Sequence, residues 1–247
     1  MLLDVVFSPN EIALALATLP YAACAVIDVV RATTTLTVLG EGGATRILVT
    51  ADIALARRLH STRPLALLTG EVGGLAPTGF DFGNSPSALG QHIVRGREII
   101  LATTNGTRAM VMAQSHGAAN IYAASLRNAG AVAETALGHT AFLLICAGLA
   151  GRVALDDLYA AGVITGMIVA AASSHGVALD LSEGAQMARE MAATAGEPLD
   201  VLRRSQGGRN TLAIEMADDL EWCAAVNAST VVPRMTGITD EGALIFI

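Results

Sequence analysis

The chain has no lysine: all 15 of its basic residues are arginines. That excludes a Walker-type phosphate loop, a pyridoxal-phosphate Schiff base and a lysine nucleophile, each of which needs an ammonium on a flexible stem. Cysteine is scarce as well. Cys24, Cys146 and Cys223 are odd in number, far apart and form no Cys-x-x-Cys pair, which implies a reduced, cytoplasmic setting. Net charge is −7 and no basic stripe exists, so nucleic acid is not an expected partner. No basic stretch opens the chain, so no secretory signal is expected. The five histidines (His60, His92, His116, His139, His175) are dispersed, which argues against a zinc centre. Two uncharged stretches, residues 12–27 and 158–179, are expected to be core rather than membrane spans. The first is short and broken by Pro20. The second follows Asp156-Asp157 and is interrupted by Ser173-Ser174-His175-Gly176.

What is present is apolar surface. With 53% hydrophobic residues, 247 residues can build one large core. The expectation is a single domain over 1–247, or two closely packed α/β halves. A mean hydropathy of +0.54 points further to a homodimer interface. Apolar runs at 2–7, 23–30, 46–49, 65–68, 98–102, 121–124 and 141–146 read as strands, with 230–232 and 243–247 closing the chain. Helical patterns fall between them at 10–19, 33–41, 52–60, 128–137, 156–172, 182–195 and 209–226. Ser85-Pro86 marks a further helix start. This alternation predicts an α/β fold: three layers, α/β/α, around a mainly parallel or mixed sheet. Asp28, Glu71, Thr103 and Cys146 all fall at predicted strand ends, where such sheets bind ligands.

Two stretches look like copies of one strand–turn–helix unit. Ile27-Asp28-Val29-Val30-Arg31-Ala32-Thr33-Thr34-Thr35 and Ala102-Thr103-Thr104-Asn105-Gly106-Thr107-Arg108 align without a gap at a spacing of 74 residues, as an internal duplication would. A strand ending in hydroxyls, free backbone and an arginine suits an oxyanion. Helix N-terminal amides and hydroxyls donate to it, and guanidinium binds it bidentately. Arg31, Thr33, Thr34, Thr35, Thr103, Thr104, Asn105, Gly106, Thr107 and Arg108 are therefore anion-binding candidates. Read plainly, the same threonines are caps and strand formers, and Asn105-Gly106 is an ordinary turn. Among carboxylates, Asp28, Glu71 and the Asp156-Asp157 pair could salt-bridge or cap helices. Together they suit Mg²⁺, which takes one or two carboxylates plus water and phosphate. No Asp-x-Asp occurs, which argues against a covalent aspartyl-phosphate mechanism. Cys146 and Arg152 have the Cys-x5-Arg spacing of cysteine phosphatases. No histidine precedes Cys146, however, and a buried structural cysteine fits as well.

The first unit, Gly70-Glu71 followed by Gly79-Phe80-Asp81-Phe82-Gly83-Asn84-Ser85-Pro86, and Thr103-Thr104-Asn105-Gly106-Thr107-Arg108 resemble the motifs of the 2-phosphosulfolactate phosphatase (ComB-type) family. So do Cys146-Ala147-Gly148, Asp156-Asp157 and Ala161-Gly162, all in family order. The resemblance is close over residues 20–170 and looser beyond. It implies an α/β/α fold and Mg²⁺-dependent hydrolysis of 2-phospho-3-sulfolactate to 3-sulfolactate and phosphate, a step in coenzyme M synthesis. Carried onto this chain, it implies Asp28, Glu71 and Asp157 at the metal. Asp28, Arg31, Arg108 and Cys146 would be catalytic, and Asn84 and Ser85 would join the turn residues at the substrate. The chain departs from the family at Val72, where an arginine is usual. A non-catalytic module that binds an anionic metabolite is the rival expectation.

Overall fold

A computed structural model describes residues 1–18, 23–92, 94–118 and 120–247. The strands are β1 (Leu2–Val6), β2 (Ala23–Ile27), β3 (Arg46–Thr50), β4 (Leu67–Gly70), β5 (Glu98–Ala102), β6 (Asn120–Ala124), β7 (Ala141–Cys146), β8 (Asp180–Leu181), β9 (Met235–Ile238) and β10 (Leu244–Phe246). The helices are α1 (Ile12–Thr18), α2 (Ala32–Glu41), α3 (Ile53–Thr62), α4 (Pro86–Gly90), α5 (Asn105–Ser115), α6 (Ala129–Leu137), α7 (Leu155–His175), α8 (Glu183–Ala195), α9 (Pro198–Arg204), α10 (Gln206–Ala213) and α11 (Ala217–Ala224).

The strands form two sheets. The first is wholly parallel, in the order β6-β2-β7-β1-β8. The second is mixed, in the order β4-β5-β3-β10-β9, with β10 antiparallel to both neighbours. Alternate side chains of each strand enter different cores, as the period of two requires. On β2, Ala23, Ala25 and Ile27 face a core built with α6, α7 and α8. Cys24 and Val26 face a second core that also takes Ile47 and Val49 of β3 and Ile99 and Leu101 of β5. Leu36 and Leu39 of α2, Ala109 and Met110 of α5, and Ile12 and Leu16 of α1 fill that same core. The middle helices thus lie between the sheets and serve both. The far face of the second sheet packs on α3 through Leu48, Ile100, Leu55 and Leu59. The expected α/β class and helix–sheet–helix layering are present, with the strands divided over two sheets that share a helical layer.

The two similar units are used reciprocally. The first runs from β2 in the parallel sheet through α2 to β3 in the mixed sheet. The second runs from β5 in the mixed sheet through α5 to β6 in the parallel sheet. Ala23 of β2 pairs with Asn120 of β6, and Arg46 of β3 pairs with Glu98 of β5. Each sheet therefore joins the first strand of one unit to the second strand of the other.

Several expected boundaries move. β2 stops at Ile27 rather than residue 30, because the Asp28 carbonyl accepts from the Thr33 N–H and the chain turns into α2. Residues 209–226 form no continuous helix. Glu215 takes φ +62° and separates α10 from α11. Residues 230–232 form no strand, and the closing hairpin is β9–β10. The expected end of the first helix at Leu19 and the break at Pro20 lie outside the described residues. α7 is long and apolar enough to cross a membrane, but protein covers it: it packs on α6 and α8, and Ala160, Ile164 and Ile168 are buried.

Candidate active site

A cleft of about 330 Å³ opens where the carboxyl ends of the two sheets meet. Asp28 and Arg31 follow β2 and Leu149 follows β7 on the parallel side. Glu71 follows β4, and Thr103, Thr104 and Asn105 follow β5, on the mixed side. Gly73, Gly74 and Asn84 come from the long glycine-rich loop. Gly207, Asn210, Thr211 and Ile214, on and just after α10, close the remaining wall.

Asp28 lines the cleft and is largely buried. Its Oδ2 accepts the Gly106 N–H at 2.6 Å and its Oδ1 accepts the Ala32 N–H at 3.4 Å. Ala32 and Gly106 occupy the same place in the two similar units, 74 residues apart. One carboxylate therefore receives the first-turn amides of both α2 and α5. Helix N-termini favour a negative group there. Burial nevertheless pushes the Asp28 carboxyl up to about 6, against the opposing pull of the Gly106 and Ala32 amides, and Asp156 and Glu71 add repulsion. Close approach of α5 depends on glycine: a Cβ on Gly106 would lie 2.9 Å from Asp28 Oδ2 and 3.2 Å from the Ala32 Cβ.

Glu71 is delivered by a second tight contact. Gly70 packs so closely on Ala102 that a Cβ would overlap its carbonyl oxygen, and the Glu71 N–H donates to that oxygen at 2.9 Å. Glu71 Oε2 accepts the Gly74 N–H at 2.8 Å and Oε1 accepts the Thr104 hydroxyl at 3.2 Å. Arg31 is buried; its Nη1 donates to Asp219 Oδ2 at 2.7 Å and its Nη2 to the Gly74 carbonyl at 2.6 Å. Asn84 is buried on the cleft wall, and its Oδ1 has no hydrogen-bond partner.

Asn84, Thr103, Thr104 and Asn105 line the cleft as substrate-side candidates, but other expected residues do not. The Thr33 and Thr34 hydroxyls are turned inward and donate to the carbonyls of Asp28 and Val29. Thr35 is buried too. Thr107 shares a hydrogen bond with Thr103 at 2.9 Å. Gly106 spends its amide on Asp28, and the Ser85 hydroxyl donates to Asp219 at 2.6 Å. Arg108 is exposed on α5 and is not a lining residue.

Cys146 ends β7 fully buried and outside the lining. Burial pushes its thiol well up, and Asp157, Glu11 and Asp156 push it further. A nucleophilic thiolate needs the opposite, an exposed and electropositive place. Asp157 is a tie between loops: Oδ1 accepts the Val29 N–H at 3.0 Å and Oδ2 the Gly148 N–H at 2.8 Å. Burial, then Asp156 and Asp28, raise its carboxyl well above the usual range. The Asp156 carboxyl is raised too, by burial, and its Oδ1 is unpartnered. Neither aspartate lines the cleft.

No site role was expected for the α10 wall or for Asp219. Ser205 before Gln206-Gly207-Gly208 is a helix-start signal that could have located α10, and its side chain does accept the Gly208 N–H. Nothing local to Asp219 reveals that it meets Arg31.

No group of three or more histidine, cysteine, aspartate or glutamate side chains among the described residues forms a metal cage. The oxygen groups that Asp28, Glu71 and Asn84 bring to the cleft lining are hard: two carboxylates and a side-chain amide whose Oδ1 is buried without a partner. They suit Mg²⁺, which keeps several waters and shares substrate phosphate.

An α/β protein with a cleft of amide, hydroxyl, guanidinium and paired carboxylate groups at its strand ends belongs to the class that handles small oxyanions. The 2-phosphosulpholactate phosphatase family profile matches residues 7–237, and the chain belongs to that family. It is similar to a probable 2-phosphosulfolactate phosphatase of Deinococcus radiodurans, 38% identical over 226 residues, covering 90% of this chain and 92% of that one. Proteins described in the same words from Thermus thermophilus (35%, 90% of each chain) and Carboxydothermus hydrogenoformans (35%, 99% of this chain and 97% of the other) are similar as well.

Proposed function

We propose that this chain is a Mg²⁺-dependent phosphoric monoester hydrolase that converts 2-phospho-3-sulfolactate to 3-sulfolactate and phosphate. The observation that carries this reading is the cleft itself, where Asp28, Glu71, Arg31 and the Asn84 amide converge from both sheets within a family of phosphatases. Asp28 and Glu71 would hold the Mg²⁺, with Asn84 Oδ1 as a further oxygen donor. When bound, the ion would neutralise phosphate charge and make a coordinated water more acidic.

The chain's own residues bind and orient. Arg31 and the Asn84 and Asn105 amides take the oxygens of the anionic groups, and Thr103 and Thr104 line the same wall. Placing donors where charge develops is the main contribution such a site makes. Val30, Leu149 and Ile214 form an apolar side that excludes water and strengthens those contacts. The three buried free cysteines fit the reduced cytoplasm as its location.

The test is phosphate release from 2-phospho-3-sulfolactate and from other phosphorylated 2-hydroxy acids, with Mg²⁺ titrated in and then chelated. Turnover that survives complete chelation removes the metal from the reading. Tight binding without turnover replaces the hydrolase with a binding module.

A further inference from the structure

Asp219 lies on α11 and is fully buried, outside the cleft lining. Its Oδ2 faces Arg31 Nη1 at 2.7 Å. Its Oδ1 accepts from the Ser85 hydroxyl at 2.6 Å, the Ser87 hydroxyl at 2.6 Å and the Ser87 N–H at 3.2 Å. The carboxylate is thus anchored by α4 before it meets the arginine.

Arginine has five N–H donors. On Arg31, those on Nη1 reach Asp219 and the Met216 sulfur, and one on Nη2 reaches the Gly74 carbonyl. The second Nη2 donor and the Nε donor have no hydrogen-bond partner among the described residues. Arg31 is also the one arginine among the described residues that line the cleft. Two donors are therefore left uncommitted on a cleft-lining side chain whose other donors are locked. Such preorganisation removes the rotamer freedom that a free arginine would lose on binding. The same lock extends to the glycine loop, because Gly74 donates its N–H to Glu71 while its carbonyl receives Arg31.

We propose that Asp219 is a positioning residue, which fixes Arg31 so that its two uncommitted N–H donors serve one anionic group of the substrate. The proposal rests on the reading of Arg31 as an anion-binding residue, and the experiment separates the two. Calorimetry on the Mg²⁺-loaded protein measures affinity for inorganic phosphate and for 3-sulfolactate, which needs no turnover. Arg31→Met should weaken one of these ligands by about tenfold or more, the loss of a charge-assisted bidentate contact. Asp219→Asn should weaken that same ligand and spare the other. The double variant should be no weaker than Arg31→Met alone, since Asp219 acts through Arg31.

Unchanged affinities in Asp219→Asn, beside a loss in Arg31→Met, overturn the positioning role alone. Equal losses for both ligands, or losses that add in the double variant, also overturn it. Unchanged affinities in Arg31→Met overturn the reading of Arg31 and the proposal with it. Should Asp219→Asn fail to fold, Ser87→Ala keeps the ion pair and removes one anchor. It should weaken the same ligand by roughly two- to fourfold, as loss of one hydrogen bond does, and no change overturns the proposal.

Discussion

Asp28 carries a conflict between stability and chemistry. Its carboxyl is raised from the ordinary aspartate value to about 6, chiefly by burial. The folded value lies above the unfolded one, so folding is favoured while the acid is protonated. Stability from this group is then lost as pH rises from about 4 to about 6. The metal-free protein should follow that slope in thermal melts, and Asp28→Asn should flatten it. The shift corresponds to roughly 3 kcal/mol at most, and Asp28→Asn removes it while turning an amide NH2 toward the Gly106 or Ala32 N–H, so the variant should show the flatter pH dependence and lose phosphatase activity. An unchanged slope between about pH 4 and 6 in Asp28→Asn would contradict the burial argument. Cys146 gives the opposite expectation. With its thiol buried and pushed up, Cys146→Ser should keep kcat within about threefold, measured by phosphate release; loss of activity without loss of fold would restore a nucleophilic role. At this scale the sequence was a partial guide. A strand-terminal aspartate reads as functional and does reach the cleft. The inward turn of Thr33 and Thr34 could not be read, because their carbonyl partners are set by the tightness of the turn after β2.

Among the elements, the junction of α2 and α5 decides the site. The first turns of both helices donate to Asp28, and Gly106 lets them approach. Gly106→Ala should displace α5, cost about 1–3 kcal/mol as overpacking does, and lower activity more than an alanine on the exposed face of α5 at Arg108. Urea melts and phosphate release on both variants check this; equal effects would show that the close approach is dispensable. Strands and helices through α7 were largely legible because buried parallel strands read as continuous apolar runs. Glu98–Ala102 and Ala141–Cys146 match their expected bounds. α8 was legible too, its expected 182–195 matching Glu183–Ala195, but the segment after it was not. Its helices are short and amphipathic, and they are separated by a positive-φ residue at Glu215 that carries no glycine or proline signal.

For the whole molecule, the helical layer packed between the sheets should make them melt as one cooperative unit. Leu39→Ala, in that layer, should cost about 2–5 kcal/mol. Fluorescence of the single tryptophan, Trp222, and far-UV circular dichroism should still report one coincident transition; separate midpoints would mean that the sheets melt independently. The division of strands between two sheets was invisible in the sequence, since a strand does not record which neighbour it will pair with. That division has a consequence for a chain cut once in the glycine-rich loop at residues 72–84. The first fragment holds β1 to β4 and the second β5 to β10. In the parallel sheet, the order β6-β2-β7-β1-β8 then alternates strictly between the fragments. In the mixed sheet, β4-β5-β3-β10 alternates as well. Neither fragment retains two adjacent strands of the parallel sheet, so a protease-nicked molecule would be stitched together along every ladder of that sheet and would migrate as one particle until denatured.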